Sequence, residues 1–183
     1  MKQLTTFQEG QRLFLKGDLP ASIQAFSSAI DHDMELFKSH ISRGVAHLKI
    51  GELDEALADF SKAVTLGDNP GRAYFYRGIA QLNKGNFQKA VADLTESIRL
   101  DSKRGAAFLA RSIAYVELGD EKEAKNDLVT AYSLNNTEIG SFMDEYAISR
   151  NMFERSMALF DGDRGPWKIV LTNDEIIRMS QWQ

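Results

Sequence analysis

Apolar and small side chains recur at helical spacing along most of the chain, and four glycines punctuate the recurrence: Gly17, Gly51, Gly85 and Gly119. Each precedes an acidic or amide residue (Asp18, Glu52, Asn86, Asp120), and each lies 34 residues from the next. Other columns keep the same step. Gly10, Gly44, Gly78 and Ser112 are small, as are Ser22, Ala56, Ala90 and Ala124, and again Ala29, Ala63, Ser97 and Ala131. A bulky column runs through Phe26, Phe60, Leu94 and Leu128, with Ile30, Val64, Ile98 and Tyr132 one turn later. Self-similarity at this period predicts a stacked array whose unit is a pair of helices. The turn glycine supplies the left-handed residue that ends the first helix of each pair, a conformation that a Cβ makes costly. Small residues in register let paired helices and neighbouring pairs approach closely. Pro20 falls in the first turn of its helix, where a missing N–H costs nothing.

This pattern resembles the tetratricopeptide repeat family, whose unit is a 34-residue helix–turn–helix. The resemblance implies an all-α fold: a right-handed solenoid of four repeats at 3–36, 37–70, 71–104 and 105–138, with a C-terminal capping helix and partly extended tail over 139–183. Some columns depart from the family. The aromatic near the start of the first helix reads Thr6, His40, Tyr74 and Phe108, and the closing Pro is replaced by Met34, Asp68, Ser102 and Asn136. In the fourth repeat Glu121 stands where the others have Leu19, Leu53 and Phe87, and Lys125 where they have Ile23, Leu57 and Val91.

Two charged columns travel together. Repeats 2, 3 and 4 carry Arg43, Arg77 and Arg111 in the first helix and Asp59, Asp93 and Asp127 in the second. Repeat 1 has neither, with Glu9 and Ala25 in those places. Joint presence and joint absence predict structural ion pairs, within a repeat or between neighbours, since an Arg fork suits a partly buried carboxylate. The competing reading, a basic ladder for an acidic ligand, is the weaker because structural ion-pair networks imitate sites.

The resemblance also implies a concave surface lined by the first helices. The positions that would face it read Phe7, Gln11 and Phe14; Ile41, Val45 and Leu48; Phe75, Ile79 and Leu82; Leu109, Ile113 and Val116. All but Gln11 are apolar. A contiguous apolar patch marks a binding surface or something already covering it, although helical apolar stripes also serve as plain helix–helix packing. The family's carboxylate clamp for acidic peptide ends is not reproduced: its places hold Phe7, Gln11, Ser42, Arg72 and Tyr76, and only Arg72 is similar in charge. The expected ligand is therefore an apolar peptide or amphipathic helix of another protein.

After Asn136 the phase is lost. Ile139 to Phe160 reads as a helix with a break near Asn151, Trp167 to Leu171 as a short extended stretch, and Asp174 to Gln181 as a last helix capped by Thr172. A solenoid needs its final unit covered, so the first of these helices is expected to cap. The remainder carries more apolar surface than capping needs. It predicts a tail that occupies the groove of its own chain or of a neighbouring subunit, which would make the protein autoinhibited or a homodimer.

Composition removes other classes. Among 183 residues, 26 acidic against 22 basic side chains give a net charge of −4, the wrong balance for phosphate-driven nucleic-acid binding. The absence of cysteine excludes disulfides and thiolate zinc sites. No run approaches the ~20 apolar residues of a membrane span, and the residues from Met1 to Thr6 hold no secretory apolar segment; a cytoplasmic location is expected. His40 and His47 are seven apart, outside the spacing of a shared metal, and with His32 are read as structural or surface residues. Asp161 and Asp163 lack the closing Glu of a calcium loop. With no phosphate loop or nucleophile elbow, the chain is expected to need no cofactor or metal and to act as a non-catalytic protein-binding scaffold.

Overall fold

The computed structural model describes residues 5–134, 142 and 146–161. Among these, nine helices have both ends described and there is no strand: α1 (Thr6–Leu15), α2 (Leu19–Asp31), α3 (Leu36–Lys49), α4 (Leu53–Leu66), α5 (Gly71–Asn83), α6 (Phe87–Leu100), α7 (Gly105–Leu118), α8 (Glu121–Leu134) and α9 (Arg150–Asp161); Phe142 and Tyr146 are helical as well. The first eight form four hairpins, each packed on the next, in an all-α repeat solenoid. The stretches Trp167 to Leu171 and Asp174 to Gln181 lie outside the described residues.

Local sequence explains the ends of the elements. Thr5 caps α1 in a reciprocal box with Gln8, satisfying two N–H groups that have no partner inside the helix. The Asp18 carboxylate accepts from Ala21 N, with Pro20 in the same first turn. Gly17, Gly51, Gly85 and Gly119 all adopt φ between +78° and +82° at the hairpin turns, which is why the column tolerates no side chain.

Within each hairpin the small and bulky columns meet. A Cβ on Gly10 would stand 2.6 Å from the Phe26 ring, one on Gly44 2.6 Å from Phe60, and one on Gly78 2.7 Å from Leu94. Repeat 4 accepts Ser112 in that column, where its bulky partner is Leu128, and both side chains are fully buried.

Successive first helices (α1, α3, α5, α7) pack on one another as well as on the preceding second helix, whereas the second helices do not pack together to that extent. The more closely spaced layer lies on the inside of the curve, so the first helices form the concave side. One continuous core runs from α3 to the C-terminal segment and includes Ile41, Phe60, Phe75, Leu94, Leu128, Phe142 and Ile148. Phe7, Phe26 and Ala29 form a separate small cluster in repeat 1.

The helix expected across 139–160 is interrupted earlier than Asn151. Ala147 turns at φ +54°, Ile148 and Ser149 are non-helical, and α9 begins at Arg150. α9 lies against α7 and α8, with Ser156 Oγ 3.4 Å from Ser112 Oγ and Arg155 Nη2 2.5 Å from Glu117 Oε1.

Candidate functional site

The charged columns face each other across repeats 2, 3 and 4, Arg on the first helix and Asp on the second. Arg43, Arg77 and Arg111 each meet an aspartate of the same repeat through two parallel bonds. The Nε–Oδ2 distances are 2.9, 2.8 and 2.7 Å and the Nη2–Oδ1 distances 2.7, 2.6 and 2.7 Å, to Asp59, Asp93 and Asp127. Two of these guanidinium groups also reach back to the preceding repeat: Arg43 Nη1 donates to Ser27 Oγ and Arg111 Nη1 to Thr95 Oγ1, both at 2.9 Å. The variable aromatic column lies beside them. His40 Nδ1 is 2.9 Å from Asp59 Oδ1, while Arg77 lies 5.3 Å over the Tyr74 ring and Arg111 5.7 Å over Phe108. Hydrogen bonds to the carboxylates raise all three arginine pKa values above the ordinary one. Burial pushes the Asp127 carboxyl up, against the pull of Arg111. Every Asp and Arg of this ladder is thus engaged between helices, with 16–23 % of each arginine side chain still exposed.

The twelve positions of the first-helix stripe divide. Ile41, Leu48, Phe75, Ile79, Leu82, Leu109 and Ile113 are buried in the continuous core. Phe7 belongs to the small cluster of repeat 1, with Phe14 packed against it. Val45 and Val116 are half-buried and Gln11 is exposed. Most of the stripe therefore holds first helices to their neighbours, and Gln11, Val45 and Val116 are its more accessible members. At the repeat-1 end a shallow depression is lined by Thr5, Phe7, Gln8, Gln11, Met34, Glu35 and Lys38.

Over repeat 3 the same side carries part of the chain's own C-terminal segment. The Tyr146 ring packs edge-on against Phe75 with centroids 5.1 Å apart, and it lies 6.2 Å from Tyr76 and 5.0 Å from Phe142. Tyr76 in turn stacks on Phe60 at 5.5 Å and 17°. Asn83 Nδ2 donates to the Tyr146 carbonyl at 3.0 Å. Phe142 is 1 % and Ile148 5 % exposed, so both are core residues although they lie outside the repeats. Reading by columns left Asn83 unmarked. The signal was present: repeat 3 alone has Tyr76 where the others have Gln8, Ser42 and Ala110, and alone has Asn83 against Leu15, Lys49 and Glu117.

His32 Nδ1 lies 2.7 Å from the Ser28 carbonyl and His47 Nδ1 2.6 Å from Glu52 Oε2, so both belong to helix ends. Among the described residues no group of three or more His, Asp or Glu is arranged to hold a metal, and no helix is long and apolar enough to cross a membrane.

The profile of the family described as Tetratricopeptide repeat matches residues 7–72, 42–104 and 75–132. No curated protein matches the sequence. Among solved structures, the chain is similar to MamA (20 % identity, TM-score 0.66, covering 84 % of this chain and 95 % of that one). It is also similar to TTC0263, a thermophilic TPR protein in Thermus thermophilus (20 %, 0.66, 96 % of each chain). A third is YrrB, described as a TPR protein with an unusual peptide-binding site (19 %, 0.66, 78 % and 73 %).

Proposed function

Because the chain belongs to the tetratricopeptide repeat family, we propose that it is a non-catalytic interaction scaffold whose first-helix layer holds an apolar peptide or helix of another protein. The observation that carries this reading is the seat over repeat 3. There an apolar segment lies on Phe75 and Tyr76 while Asn83 captures a backbone carbonyl, which is the division of labour found in peptide grooves: rings for affinity, one polar group for register. The peptide-binding site named for YrrB gives the same class of ligand a precedent in this fold. An acidic peptide end finds no clamp, since Phe7 and Ser42 bring no cation and Arg72 lies 5.6 Å over the Tyr76 ring. Among the described residues nothing covers the layer at the repeat-1 end, where Gln11 and Lys38 flank Phe7.

The test is selection from a random peptide library on the intact protein, followed by affinity measurement with Gln11→Glu and Lys38→Glu. Both residues are exposed, so the variants should melt as the parent does. Loss of binding by about tenfold, on the order of 1.4 kcal/mol, supports the face. Peptides that bind both variants unchanged and cross-link to second helices would overturn it.

A further inference from the structure

Resting on that reading of the first-helix face, we propose that the segment bearing Phe142, Tyr146 and Ile148 is an exchangeable occupant of it. The partner it yields to is a helical peptide carrying two aromatic side chains one turn apart. Phe142 and Tyr146 are four residues apart, both helical, and their ring centroids lie 5.0 Å apart, the neighbour relation of an i, i+4 pair. Their contacts with repeat 3 are ring faces and edges: Tyr146 on Phe75 and Tyr76, with Phe142 behind it. Another aromatic pair satisfies the same geometry. The polar clasp, Asn83 Nδ2 to the Tyr146 carbonyl, reads backbone and is indifferent to which side chain that residue bears.

Two further features separate this seat from ordinary core. Tyr76 and Asn83 occur in repeat 3 alone, at columns the other repeats fill with unrelated residues, so the seat is an addition to the repeat and the array is built without it elsewhere. Next, the segment leaves the face through Ala147, an exposed alanine at φ +54°. That conformation costs on the order of 1 kcal/mol for a residue with a Cβ, and it is held only while Tyr146 and Ile148 stay seated on either side of it. The strain is released when the segment lifts away. The occupied part continues toward the repeat-1 depression lined by Phe7, Gln11 and Lys38, which no other described residue fills, so a longer ligand can engage that end first and exchange at repeat 3 afterwards.

The probe is a fluorescent synthetic peptide of residues 139–150 of this chain, added to the full-length protein and followed by anisotropy. An intramolecular occupant acts at an effective concentration in the roughly millimolar range, so the parent should bind the peptide weakly. Full-length Tyr146→Ala should bind it at least tenfold more tightly, and adding Asn83→Ala or Tyr76→Ala should erase the gain. Hydrogen exchange on the parent protein supplies a second readout: saturating peptide should accelerate exchange at 146–149. A folded Tyr146→Ala that gains no affinity overturns the exchange, as does a parent whose 146–149 amides ignore the peptide. Should library peptides bind the face while the 139–150 peptide never does, the scaffold reading stands and this proposal falls.

Discussion

At the scale of single residues the repeat is a set of paired choices. Gly44 has no side chain because the Phe60 ring occupies its Cβ position, and Gly78 none because Leu94 stands 2.7 Å from where a Cβ would be. Gly44→Ala should therefore destabilise by about 1–3 kcal/mol through overpacking. Gly44→Ala combined with Phe60→Ala, which removes the ring, should cost less than the sum of the two changes. Urea midpoints of both singles and the double check this, and additive losses would refute the pairing. The charged pairs follow the same logic. Arg77→Ala leaves Asp93 buried without its fork, which should cost roughly 3 kcal/mol, and the cycle with Asp93→Ala should show coupling above about 1 kcal/mol.

Asp127 adds a pH signature. Its carboxyl is raised by burial, so the folded chain takes up that proton more readily than the unfolded one. The ionised form weighs against the fold above the raised pKa, and the penalty disappears as pH falls through it. Removing Arg111 sharpens this. Arg111→Ala should be most destabilised at neutral pH and recover relative to the parent on mild acidification, as read from thermal midpoints across pH. A loss that does not change with pH would contradict the assignment.

At the scale of elements, the departures of the terminal units acquire reasons. The stripe of first-helix residues that faces the preceding repeat reads Ser39, Arg43, Ala46 in α3 and Ala107, Arg111, Ala114 in α7, with both arginines reaching the repeat before. At α1 the same stripe reads Thr5, Glu9, Arg12, and Arg12 is paired with Glu9 through Nε at 2.7 Å. A second copy stacked head to tail would meet Arg12 where Ala46, Ala80 and Ala114 are fully buried. At the other end α9 covers α7 and α8, but the connection to it detours over repeat 3 by way of Ala147. Ala147→Gly should be neutral or stabilising within about 1 kcal/mol, because glycine removes the left-handed strain. Ala147→Val should lose more than that, and equal midpoints for the two would show that no strain is stored there.

At the scale of the molecule, stability in a solenoid is a sum over neighbours, and here the sum is uneven. Repeat 1 keeps its own small cluster of Phe7, Phe26 and Ala29. Repeats 2 to 4 share one core that Phe142 and Ile148 complete. Native-state hydrogen exchange should therefore show α1 and α2 opening at lower free energy than α5 and α7; uniform protection along the chain would sink this picture.

The sequence by itself determined the period, the left-handed turn glycines, the small and bulky columns that pack the hairpins, and that an Arg column pairs with an Asp column; the structure decided that each pair closes within one repeat. Those partners lie 16 residues apart within one unit, so a column shared by three repeats carries the geometry with it. The sequence did not distinguish an open apolar wall from one used for packing. Ile79 and Leu109 have the spacing of a groove and the burial of a core, because first helices stand close enough to use the same side chains on each other. Nor could it place the C-terminal segment. Asn83 and Tyr146 are 63 residues apart across a stretch that follows no repeat. Without a shared register, only the packing of Tyr146 onto Phe75 decided that the chain covers part of its own face.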